Sequence, residues 1–219
     1  MMGHDADSPA EVTVTVHEFL EDFETSYGAL HPPFYVGSFE EAKTTARETG
    51  KFLFLYLHMK GQEEVDLFCR DVLCSEPIVQ LLAENCVVWG WDVSSPARMH
   101  TLRKIISRHV TSNINFFLPT RFPFSCFLAV INSSLTLLDS TVGFVPTDEL
   151  FVKILTMVET HGRVLEEERA KVQQREQDRL HRERLLNEQE SDYLRSLEED
   201  SVKVCFCFFL SYIFPPLVG

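Results

Sequence analysis

Seven consecutive residues, Phe52-Leu-Phe-Leu-Tyr-Leu-His58, are apolar or aromatic up to a closing histidine. Side chains alternate faces along a strand, so this segment is apolar on both of them. Only a strand in the middle of a sheet, with helices over both faces, needs that pattern. Cys86–Asp92 and Phe124–Ile131 repeat it.

The segments between these strands read as helices. Phe19, Phe23 and Tyr27 recur four apart with Leu20 beside them, an amphipathic stripe that Gly28 ends. Pro32 and Pro33 hold His31–Tyr35 extended. Ser38 and Glu41 form a capping box for a helix that Gly50 closes. Further helices are expected over Glu64–Leu73, over Glu76–Glu84 with Pro77 in the first turn, and from Ser95-Pro96 to His109. Asn132-Ser133-Ser134 turns the third strand into a fourth, Leu135–Val142. Thr147-Asp148-Glu149 opens the last helix, with two acids in its positive first turn. The order helix, β, α, β, α, β, β, α combines a parallel βαβ unit with a closing hairpin. It describes an α/β fold: a thioredoxin-like sandwich, a mixed four-stranded sheet with flanking helices, followed by a long charged helix.

In such a frame a redox enzyme carries a Cys-x-x-Cys pair straight after the first strand. Here that position reads His58-Met59-Lys60-Gly61-Gln62-Glu63. The cysteines, Cys69, Cys74, Cys86, Cys126, Cys205 and Cys207, form no disulfide ladder, and Met1–Thr13 has no apolar export signal. Reduced thiols in the cytosol are expected. Cys69 and Cys74, five apart on an α-helix, would point roughly 140° apart, so they read as buried structural thiols. No cation stands ready to activate either one. No His/Cys/Asp/Glu set has metal spacing, no glycine loop cradles phosphate, and no Gly-x-Ser-x-Gly elbow occurs. The net charge of −13 argues against nucleic acid. Neither a catalytic residue, a metal nor a cofactor is expected. Trp89 and Trp91 share one side of a strand and read as core, while Pro123, before the third strand, is the place for a cis peptide. The surface around His58, Met59, Lys60, Phe122 and Pro123 is the candidate partner-binding surface, where extended peptides could add as strands.

The expected domains are a disordered N-terminus over 1–15, a thioredoxin-like domain over 16–158, a charged helix over 159–203 and an unstructured apolar tail over 204–219. In the charged helix Glu168–Lys171 and Arg179–Glu183 pair opposite charges three or four apart. Leu165, Val172, Leu186 and Tyr193 keep a heptad spacing that Arg179 interrupts, so a solvated single helix and a coiled coil both stay open. The tail is too short and proline-broken to span a bilayer. Membrane contact with acylation of Cys205 and Cys207, partner binding and an unselected read-through tail all stay open for it.

The run Phe19-Leu-Glu-Asp-Phe-Glu-Thr-Ser-Tyr-Gly28, with His31-Pro32-Pro33-Phe34-Tyr35-x-Gly37, resembles the opening of the UAS domain of UBX-domain proteins of the Fas-associated-factor type. Phe68-Cys69-Arg70, Trp89-Gly90-Trp91, Arg121-Phe122-Pro123-Phe124 and the helix from Glu166 to Asp200 extend the similarity over about Val16 to Lys203. The resemblance implies a non-catalytic adaptor or scaffold, linked to ubiquitin-dependent degradation (often of endoplasmic-reticulum proteins) and to the AAA ATPase segregase. It implies protein partners, contacted indirectly where the ATPase or ubiquitylated clients are concerned, and self-association. It also implies a long-chain fatty acid as ligand and a cytoplasmic site, peripheral at the endoplasmic reticulum membrane. A fatty-acid-sensing module and a weak thiol oxidoreductase are the competing readings. No UBX domain follows Lys203 and no ubiquitin-associated domain precedes Val16, so a truncated isoform is expected. Residues 110–119 and the tail read as splicing products.

Overall fold

The computed structural model describes residues 9–109 and 119–213. Residues 110–118 of the insertion expected at 110–119, the first eight residues and the last six lie outside them. The elements run α1 Pro9–Tyr27, α2 Phe39–Thr49, β1 Phe52–His58, α3 Glu63–Leu67, a π-helical turn Phe68–Leu73, α4 Glu76–Asn85, β2 Cys86–Asp92, α5 Pro96–His109, β3 Phe124–Ile131, β4 Ser134–Val142 and α6 Thr147–Ile213.

The strands lie in the order β2-β1-β3-β4. β1 and β2 are parallel, which the α3–α4 crossover requires. β3 runs antiparallel to both β1 and β4. This is the expected thioredoxin-like mixed sheet. Every residue of β1 and β2 is buried, so both faces of the centre are covered. The register sets His58 beside Asp92 at the ends of the parallel pair, and that juxtaposition builds the site.

Local chemistry fixes the flanks. Ser38 and Glu41 make the reciprocal capping box, and Gly50 closes α2 at φ 69°. Trp89 and Trp91 stack at 5.3 Å inside the core, their indole N–H groups donating to the Gly37 and Arg98 carbonyls. A Cβ on Gly90 would stand 2.3 Å from the Phe19 ring, so glycine there admits α1 onto β2. The hairpin turn uses Asn132 and Ser133, both at positive φ, a two-residue turn that matches sheet twist. The Phe122–Pro123 bond is cis.

Three expectations change. First, the N-terminus is helical from Pro9, not disordered to residue 15. Proline suits a first helical turn, and Val12 and Val16 extend the Phe19–Phe23 stripe into the core at 3% and 0% exposure. Second, the backbone of α6 continues through the apolar segment to Ile213, where an unstructured tail was expected from 204. The first proline after Thr147, at position 215, lies beyond that point, so none interrupts the helix. Third, the helix expected over Glu64–Leu73 is α-helical only as far as Leu67, in α3, and then widens into the π-turn.

The chain divides into two compact units after Val172. Before that point α6 packs through Leu150, Ile154 and Leu165. Glu168, 5% exposed, accepts the Asn132 amide of the hairpin turn at 3.2 Å and the Lys171 ammonium at 2.6 Å. From Gln173 to Lys203 every side chain described is exposed.

Candidate functional site

β1 delivers Tyr56 and His58 to the corner where a redox enzyme of this fold keeps its dithiol. Their side chains point the same way because they are two apart on a strand. The π-turn brings Cys69 against them. The Tyr56 hydroxyl lies 3.0 Å from His58 Nδ1 and 3.0 Å from Cys69 Sγ, with 3.8 Å between the sulfur and Nδ1. Burial decides the charge state of all three. It drives His58 down to about 4 against the pull of Asp92. It pushes Cys69 up to about 12 despite its hydrogen bond with Tyr56, and holds Tyr56 well above the phenol range. The trio is neutral at pH 7, and its sulfur is a thiol rather than a thiolate.

The π-turn also revises the cysteine geometry. The Cys74 amide donates to the Cys69 carbonyl at 3.0 Å, a five-residue bond. The α-helical angle expected between the two side chains therefore does not apply. Both are free thiols; Cys69 is fully buried, but Cys74 is only half-buried, its thiol raised by burial to about 11.

A cavity of about 320 Å³ opens between α1 and this corner. Phe19, Phe23 and Tyr27 of α1 form one wall; His58, Lys60 and Arg70 form much of the other. Lys60 donates to Asp22 Oδ2 at 2.6 Å and lies 3.7 Å from Asp92. The Tyr27 hydroxyl donates to Asp66 Oδ1 at 2.5 Å. Arg70 has no partner among the described residues. Below the rim sits Asp92, 1% exposed. It accepts the Ser94 amide at 2.8 Å, the Ser94 hydroxyl and the Arg98 guanidinium, while Arg98 reaches on to Glu18 at 3.0 Å.

The expected surface residues separate. Lys60 is exposed and Met59 part-exposed, whereas His58, Phe122 and Pro123 are buried. His58 and Lys60 meet at the cavity; Phe122 and Pro123 do not line it. Between the two places Arg121 grips Glu64 with two hydrogen bonds, 3.2 and 2.5 Å, tying the proline loop to α3. Sequence reasoning missed Tyr27, Asp66, Arg70 and Asp92. Asp92 carried a signal: a charge closing an apolar strand requires partners. Among the described residues no group of acids, histidines and cysteines could hold a metal ion.

A thioredoxin-like sheet with a thiol-free turn at its reactive corner defines the class, and comparison with known proteins gives the family. The model of the family Fas-associated factor 1 matches residues 19–156, and the chain belongs to that family. FAS-associated factor 1 of Rattus norvegicus is 29% identical over 211 residues, covering 93% of this chain and 31% of the relative. FAS-associated factor 2 of Bos taurus is 25% identical over 185 residues, covering 84% and 38%. The chain thus spans about a third of the length of these curated relatives. Among solved structures, a thioredoxin from Thermus thermophilus overlaps 60% of the chain and 90% of its own length at 19% identity, with a TM-score of 0.47.

Proposed function

We propose that this chain acts as a non-catalytic adaptor of the UBX kind, presenting the Lys60 corner to protein partners and using the helix beyond Val172 as a spacer. Its setting would be ubiquitin-dependent degradation around the AAA ATPase segregase. It would work in the cytoplasm or at the face of the endoplasmic reticulum, and meet the ATPase and ubiquitylated clients indirectly. The observation that carries the reading is the pairing of family membership with the chemistry of the corner: His58–Glu63 holds no thiol, and the thiol packed against it, Cys69, is buried, neutral and hydrogen-bonded. Among the described residues no helix is long and apolar enough to cross a membrane, in keeping with peripheral placement.

A pull-down with the whole chain, offered the ATPase, ubiquitin chains and a longer relative bearing a UBX domain, tests the adaptor role. Capture of the longer relative, with the ATPase arriving only in its presence, is the expected result; retention of none of the three would end the proposal. Thiol-dependent insulin reduction that disappears in Cys69→Ser would instead establish an oxidoreductase. The fatty-acid reading predicts oleate-dependent sedimentation of the same preparation.

A further inference from the structure

The cavity beside His58 has polar groups that the adaptor reading leaves unused. His58 is 4% exposed, and its Nδ1 is occupied by the Tyr56 hydroxyl. A phenol O–H is a strong donor and a thiol sulfur a weak acceptor. The ordering that satisfies all three groups runs Cys69 S–H to Tyr56 oxygen, then Tyr56 O–H to His58 Nδ1. The imidazole proton then resides on Nε2, which has no partner among the described residues, while the ring lines the cavity. That nitrogen is not sealed in the core, so a ligand atom in the cavity can accept its proton in place of water.

The remaining walls narrow the chemistry. Asp22 and Asp66 face Lys60 and Arg70, two acids against two bases, so the cavity favours neither a net anion nor a net cation. Asp66 spends one oxygen on Tyr27, and Arg70 is unspent, so the same cavity offers both an acceptor and a donor. Three aromatic rings from α1 supply flat apolar surface.

We infer that this cavity binds a flat, uncharged amide: its carbonyl accepts from His58 Nε2–H and Arg70, its N–H group donates to Asp66, and its plane lies against Phe23 and Tyr27. The assignment stands apart from the adaptor reading, since it rests on the cavity alone.

Three probes of one shape separate the chemistries: benzamide, benzoate and benzamidinium. In NMR titrations of the whole chain, benzamide should shift the His58 ring and Gly61 amide signals saturably at millimolar concentration. The buried Trp89 indole should stay unmoved. Benzoate and benzamidinium should bind at least about fivefold more weakly, the worth of one hydrogen bond. Arg70 is exposed and unpartnered, so Arg70→Ala should fold normally and weaken benzamide by a similar factor. N-acetylglutamine amide distinguishes the source: if it matches benzamide, a partner's side chain is the natural occupant, and if only benzamide binds, a free aromatic amide is. Absence of any saturable shift, or a charged probe binding as well as the amide, overturns the assignment.

Discussion

Acid–base pairs occur in two settings in this chain. At the end of β2, Asp92 meets Arg98 and Lys60 at 1% exposure. On α6 beyond Val172, Glu176 meets Arg179 at 2.6 and 2.9 Å, with both side chains more than half exposed. The second pair has close to ideal two-pronged geometry, yet water screens it and two long side chains lose freedom to hold it. The first pair is shielded, and it also organises backbone: Asp92 fixes the turn into α5 through Ser94, and its cations reach back to Glu18 and Asp22 on α1. Burial raises the Asp92 carboxyl, but the Ser94 bonds together with Arg98 and Lys60 outweigh it and hold the group below the usual aspartate value. Solvent access, rather than contact distance, separates structural charge from surface charge here.

The sharpest way to break that contrast is Asp92→Ala. Removing one member of a buried pair strands the others, and with Arg98 part-exposed the expected loss is about 3 kcal/mol. Urea unfolding followed by tryptophan fluorescence measures it. A cost no larger than that of Glu176→Ala would show that burial is not the deciding variable.

Acid titration gives the next largest effect. His58 is held neutral in the fold down to about 4, whereas the unfolded chain takes up the proton near 6.5. Between those values the unfolded state binds more protons, so stability must fall as pH falls, by up to roughly 1.4 kcal/mol per pH unit. Asp92, with its depressed carboxyl, adds stability present above the unfolded aspartate value and lost only at lower pH. His58→Gln should therefore flatten the decline between pH 6.5 and 4 and leave the steeper limb below it. An unchanged slope in that window would mean that the imidazole is hydrated in the fold.

Tyr56→Phe follows, at about 2 kcal/mol, because it removes the hydroxyl that both His58 Nδ1 and the Cys69 thiol bond in the core and leaves them only their weak contact with each other at 3.8 Å. The 15N shifts of the His58 ring give a second readout, since loss of the phenol removes the reason for the proton to sit on Nε2.

The strands were legible in the sequence because a doubly buried run leaves little room for another reading. β2 and β3 fall on their expected bounds, and β1 and β4 within one residue. The capping box and Gly50 were legible because their chemistry is local. The candidate site was not, apart from His58 and Lys60. Tyr27 and Asp66 are joined across α1 and α3, Arg70 depends on the π-turn, and no spacing rule signals either arrangement. Glu168 shows the same limit on the helix. Its spacing to Lys171 predicted a surface pair, which exists, but its other oxygen receives the Asn132 amide from a hairpin thirty-odd residues earlier.

Arg179→Ala should have the smallest effect. The sequence pairs Arg179 with Glu183, whereas the structure places its guanidinium on Glu176, one turn in the other direction. On an exposed helix both acids are within reach, and exchange between them explains why neither contact alone matters. The midpoint of thermal unfolding should move by less than about 1 °C, and circular dichroism at 222 nm should change by no more than the loss of a fraction of a turn. Raising the salt concentration should leave the variant and the wild type equally helical, because screening has already removed what the mutation would remove. A shift as large as that of Tyr56→Phe would mean that this stretch of α6 is covered in solution, and the exposed Leu186, Tyr193 and Leu197 would be the surface to examine.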